Sequence, residues 1–200
     1  DSPTATETFS SVGVTVLNDR DLTIETPLTP IAALAPENTV FMLSLSKTIL
    51  PALRLAYLHV PKRYTEALHN ALYHLNLSQS SLLLELASRL IVSGRLEELL
   101  STRREGIIER NHIFDTILAD YTSLGGKECL SRWLLLPEGI TGAKFEQLAR
   151  EQGVSVYGSE RFAVGKEVPV AAARLAVCAP RTKEELKKGL HILKGILDNR

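Results

Sequence analysis

Two hydrophobic rhythms alternate along this chain. Short apolar runs rich in β-branched and aromatic residues read as strands, and longer stretches with apolar positions every three to four residues read as helices. VGVTVLN (Val12 to Asn18) and NTVFMLSLS (Asn38 to Ser46) have the length and composition of buried strands. Between them ETPLTPIAALAPEN, with Pro27, Pro30 and Pro36, predicts an irregular crossing loop. RLAYLHV (Arg54 to Val60) is a third strand-like run, stopped by Pro61. From Arg63 the period becomes helical: YTEALHNALYHL gives one helix, and SLLLELASRLIVSGRLEELLSTRREGIIERNHIFDTILADY gives a long helical stretch with breaks expected near Gly94 and Gly106. Gly125-Gly126 ends it.

Beyond that point the periods alternate. CLSRWLLLP predicts a strand ending at Pro137, with Trp133 in the core. TGAKFEQLAREQG predicts a short helix capped by Thr141 and stopped at Gly153. VSVYGS and AAARLAVCAP predict two more strands, and Val154 to Val156, Trp133 to Leu136 and Leu175 to Val177 are expected as central strands of one antiparallel sheet with helices on one face. TKEELKKGLHILKGILDNR predicts a closing amphipathic helix, with Thr182 at the cap and Glu185 three residues on. The alternation argues for an α/β architecture. The pattern shifts at about residue 62, and a further unit is expected from about residue 104.

Composition narrows the function. Lys+Arg and Asp+Glu are both 23 and the formal charge is +0, so the chain lacks the basic surplus of a domain that grips phosphate backbones. At 44% hydrophobic and 23% charged it has the make-up of a folded globular protein. Cys129 and Cys178 each lie in an apolar run and are expected to be buried, reduced thiols, in keeping with a cytoplasmic location. There is no apolar run of membrane-spanning length and no targeting leader. The first residue is Asp1 and the lead-in DSPTATETFSS is polar, which suggests a fragment or a processed product. The five histidines have no metal-ligand spacing, so no metal is expected. Arg103, Arg104 and Arg110, interleaved with Glu105 and Glu109, read as a solvated helix face.

The stretch Ser44-Leu45-Ser46-Lys47-Thr48-Ile49-Leu50-Pro51-Ala52-Leu53-Arg54-Leu55-Ala56-Tyr57 carries the chemistry. A lysine stands at the end of a buried strand, hydroxyls flank it, and an arginine follows after a proline-forced turn. A partly desolvated lysine is a nucleophile toward a carbonyl. Hydroxyls and a guanidinium make a phosphate cradle. An aldehyde-bearing phosphorylated cofactor satisfies all of these groups at once.

The stretch resembles the Schiff-base lysine motif S-F-S-K-T-L-A-P-G-L-R-L-G-Y of fold-type-I pyridoxal-phosphate enzymes, in the class I/II aminotransferase branch. VTVLNDRDL resembles that family's V-I-E-D-D-Y strand end, GGKECLSRWLLLP resembles G-G-L-H-L-W-L-x-L-P, and AAARLAVCAPRTKEELKKGLHIL resembles the closing I-R-L-S-F-A and its helix. The resemblance implies the C-terminal half of an aminotransferase-like protein: residues 1-62 as a remnant of the cofactor-binding large domain, 63-103 as connecting helices, and 104-200 as a small α/β domain with an antiparallel sheet. It implies pyridoxal 5'-phosphate on Lys47, phosphate contacts from Ser44 and Arg54, an Asp19 carboxylate facing the ring nitrogen, and Arg174 taking a ligand carboxylate. It also implies a homodimer with an amino acid or amino-carboxylate ligand.

Two functions share these motifs. One is an aminotransferase, moving amino groups between amino acids and 2-oxo acids. The other is a MocR-type regulator, in which a GntR-like winged helix outside this chain binds DNA and the aminotransferase-like domain senses an effector. Asp21 stands where the family has Tyr, Leu43 where it has Gly, and Ala52 and Ala56 where it has glycines. A retained lysine in an eroded neighbourhood favours the sensor.

Overall fold

A computed structural model of the chain describes residues 29–45, 55–76, 80–165 and 168–199. The chain forms two compact units that divide between Ser101 and Thr102.

In the first unit, the proline-rich crossing holds more order than its composition predicts. A single helical turn, α1 (Ile31–Leu34), is followed by a 3-10 turn over Pro36–Asn38. Pro36 opens that turn because its fixed φ suits a first helical position. Strands β1 (Phe41–Ser44) and β2 (Ala56–His59) pair antiparallel, with Phe41 opposite His59 and Ser44 opposite Ala56. Two helices follow, α2 (Lys62–Asn76) and α3 (Ser81–Val92). The core here is small: Leu45, Leu55 and Ala87, with Leu83 packed on it.

The long helix α4 (Arg95–Ile117) starts after the expected break at Gly94, whose φ of 74° no L side chain adopts readily. Gly106 does not interrupt it. A glycine inside a helix costs about 1 kcal/mol, and burial of the next residue, Ile107, and of Phe114 two turns along the same face offsets that.

The second unit holds a four-stranded antiparallel sheet in the order β3 (Ser123–Leu124), β4 (Arg132–Leu135), β6 (Ala172–Leu175), β5 (Tyr157–Gly158). Helices α5 (Gly142–Glu151) and α6 (Lys183–Asp198) complete it. Phe114, Leu118, Leu134, Phe145, Ala173, Leu175, Leu190 and Leu193 form one buried cluster, drawn from the sheet's inner face and from all three helices.

Two strand predictions shift. Val154 to Val156 is not a central strand; the ladder begins at Tyr157 and β5 lies at the edge of the sheet. The reason is local: Val154 N–H is already committed to Ala149 O at 2.8 Å, closing the end of α5. Similarly, β6 ends at Leu175, because Ala179 N–H folds back to Ala176 O in a turn.

Candidate functional site: an arginine row on the open sheet face

Alternation along β4 and β6 sorts side chains between two faces. Leu134, Ala173 and Leu175 enter the core. Trp133 and Arg174 point the other way, so the expectation that Trp133 is a core residue is corrected: it is half-buried on the open face. The registers align them. Trp133 of β4 lies opposite Arg174 of β6, and Arg174 lies opposite Tyr157 of β5. Paired residues of an antiparallel ladder project to the same side, which makes Trp133, Arg174 and Tyr157 one row across three strands.

Phe162 completes the row's surroundings. It belongs to the 3-10 turn Ser159–Phe162 directly after β5, and its ring meets the Trp133 ring edge-on at 5.1 Å and 76°. The Arg174 guanidinium carbon lies 6.0 Å from the Phe162 centroid, at the outer limit of a cation–π contact. Arg174 Nε donates to Ser131 Oγ at 3.2 Å. Among the described residues no carboxylate pairs with Arg174, which leaves its terminal amino groups for another anion.

The turn that presents Phe162 is anchored from behind by Glu146 of α5. The nearly buried carboxylate accepts from Gly158 N at 3.0 Å, from Arg161 Nε at 2.8 Å and from Arg150 Nη2 at 2.7 Å. The Arg161 hydrogen bond, then the Gly158 amide, hold the Glu146 pKa down to about 2. Arg161 also lies 5.3 Å over the Tyr157 ring, so the anchor reaches both aromatics beside Arg174.

The arginines of α4 are not a solvated face. Arg104 pairs with the buried Glu128 at 2.7 Å, and Arg110 donates to Val177 O and Arg181 O at 3.1 and 3.3 Å. A further buried network lies beneath β4. Arg132 pairs with Asp115 at 2.8 Å, donates to Ser123 Oγ and Asn111 Oδ1, and lies 4.7 Å over Phe114. These contacts tie α4 to the sheet. The cysteines are free but half-buried rather than buried, and burial pushes the Cys178 thiol up, keeping it neutral. All five histidines are exposed, and among the described residues no cluster could hold a metal.

Of the sequence-predicted cofactor residues, Ser44 is half-buried at the end of β1. Leu45 N–H donates to Leu55 O at 3.0 Å, so the flanks of the segment 46–54 are held together. Lys47, Arg54 and Asp19 lie outside the described residues, as does the strand expected at Val12 to Asn18.

No family model matches the chain. Its fold, however, is aminotransferase-like, of the fold-type-I kind that the motifs imply. An archaeal alanine:glyoxylate aminotransferase superposes with a TM-score of 0.81 at 19% identity, over 94% of this chain and 48% of that one. A kynurenine aminotransferase from Pyrococcus horikoshii, solved in complex with PMP, gives 0.79 at 18% identity over 90% of this chain and 46% of that one. In sequence, the chain is similar to the uncharacterised HTH-type transcriptional regulator YdeF of Bacillus subtilis, 48% identical over 173 residues. The match covers 86% of this chain but 37% of that regulator, so the chain spans little more than a third of its curated relative.

Proposed function

We propose that the chain is the pyridoxal-phosphate-binding effector domain of a GntR/MocR-type transcriptional regulator. The observation that carries this reading is the pairing of an aminotransferase-like fold with 48% identity to an HTH-type regulator. In this reading, residues 1-62 belong to the cofactor-binding large domain, 63-103 are connecting helices and 104-200 are the small domain. DNA is gripped by a domain outside this chain, in keeping with a formal charge of +0 here. The protein works in the cytoplasm; among the described residues no helix is long and apolar enough to cross a membrane.

The donor set fits the cofactor. Ser44 and Arg54 suit a phosphate, and Lys47 suits an aldehyde. The β1–β2 ladder and the Leu45 N–H to Leu55 O bond lend this reading support, because they build the antiparallel pair on which Ser44 stands. Asp19 supplies the negative charge that keeps a ring nitrogen protonated. When bound, the cofactor supplies an electron-withdrawing ring and a carbonyl that a primary amine can reach. Arg174 then reads the carboxylate of an amino acid or amino-carboxylate ligand, because a planar guanidinium fork matches a planar carboxylate. A second reading, an aminotransferase enzyme, is favoured by the names of the structural neighbours. The substitutions at Asp21, Leu43, Ala52 and Ala56 favour the sensor.

The test is spectroscopic. The full-length polypeptide containing this chain, incubated with pyridoxal phosphate, gives an absorbance band near the visible edge, and Lys47→Ala abolishes it. A band of undiminished strength in that variant overturns the assignment. Operator-DNA binding that changes when the band shifts favours the regulator, whereas catalytic turnover of amino groups to a 2-oxo acid favours the enzyme.

A further inference from the structure

We propose that Ser131 and Phe162 are positioning residues for Arg174, turning its guanidinium so that a ligand carboxylate meets the two terminal amino groups end-on. The inference rests on the reading of Arg174 as the carboxylate receptor and adds how that receptor is aimed. A guanidinium offers a carboxylate two docking edges: the side formed by Nε and one terminal nitrogen, and the end formed by both terminal nitrogens. Ser131 Oγ occupies Nε at 3.2 Å and so takes the side edge out of use. Ser131 directly precedes β4, while Arg174 is central in the neighbouring β6, so the hydroxyl is supplied by the strand ladder and not by a loose surface chain.

Phe162 restrains the remaining freedom. Its ring lies 6.0 Å from the guanidinium carbon and is itself held edge-on by Trp133 at 5.1 Å. Trp133 and Tyr157 stand on either side of Arg174 in the row. An arginine normally loses much side-chain entropy when it engages a ligand. Here part of that ordering is already imposed before the ligand arrives, which is where preorganisation raises affinity.

The experiment compares the full-length cofactor-loaded protein with its Ser131→Ala, Ser131→Thr, Phe162→Leu and Arg174→Lys variants. Each is titrated with L-phenylalanine and with phenethylamine, which lacks the carboxylate, and the shift of the cofactor band is read. Ser131→Ala and Phe162→Leu are expected to weaken L-phenylalanine by roughly 3- to 10-fold, the share of side-chain ordering that the free protein then no longer imposes on Arg174, and to leave phenethylamine unchanged. Ser131→Thr keeps the hydroxyl and restores the wild-type preference. If Ser131→Ala matches wild type, or weakens both probes equally, the positioning role is overturned. If Arg174→Lys leaves the preference for L-phenylalanine intact, it is the reading of Arg174 itself that fails.

Discussion

Glu146 shapes the open face of the sheet although it does not lie on it. One carboxylate holds the Gly158 amide, Arg161 and Arg150, and thereby fixes the turn that carries Phe162 toward Arg174. Its pKa is lowered from the ordinary 4.5 to about 2, so the folded state favours the charged form. The stabilisation is therefore complete above about pH 4.5 and is lost as the pH falls toward 2. Glu146→Gln is expected to cost about 1–3 kcal/mol near neutral pH. Denaturant melts of both proteins across that acid window check the sign: the gap between them should close as the pH drops, and a gap that widens contradicts the assignment. None of this is legible in sequence, where Glu146 is one carboxylate among many on an amphipathic helix. Its partners lie 4, 12 and 15 residues away, and only the fold assembles them.

At the scale of elements, local signals were reliable where the chemistry was local. Thr141 Oγ1 accepts from Lys144 N at 3.2 Å and Thr182 Oγ1 accepts from Glu185 N at 3.1 Å, as their positions predict. Glu185 reaches back to Arg181 N at 2.8 Å, one residue before the cap, so the reciprocal box is closed with a small shift. Where α5 meets β5, by contrast, two glycines far apart in sequence touch. A Cβ on Gly158 would fall 2.7 Å from Gly142 O, and one on Gly142 would fall 2.6 Å from Ala172 O. Those neighbours are backbone and cannot swing aside. Gly158→Ala is thus expected to destabilise the second unit by about 1–3 kcal/mol, seen as a lower thermal midpoint. An unchanged midpoint would show that α5 can move off the strand.

At the scale of the whole molecule, the two units differ in how well they bury their apolar residues. The second has a large continuous core. In the first, Leu75, Leu82 and Val92 are each at least three-quarters exposed, and Leu72, Tyr73, Ile91 and Leu86 are more than two-fifths exposed. Apolar helix faces of this extent favour association, in keeping with the homodimer that the family resemblance implies. Light scattering of the full-length protein at micromolar concentration should return twice the chain mass, and a monodisperse monomer would contradict that expectation.

The helices α2 to α6, the two threonine caps and the break at Gly94 were readable in sequence because each depends on neighbours within a few positions. The resemblance of the Lys47 stretch was readable for the same reason, since its spacing lies within fourteen consecutive residues. Arg174 could be named from sequence, but its surroundings could not. Trp133, Tyr157, Phe162 and Ser131 come from separate segments, up to 43 residues from Arg174 in the case of Ser131. Strand register decides that Trp133 and Tyr157 share its face, and a shift of one residue would send each to the other side, while the turn held by Glu146 brings in Phe162. What the sequence by itself determined was the position of most of the described helices and strands, though not α1 or β3, and the residue types that carry the candidate chemistry. Only the tertiary structure decided which side chains meet, because ladder register and close packing act between residues that local pattern cannot connect.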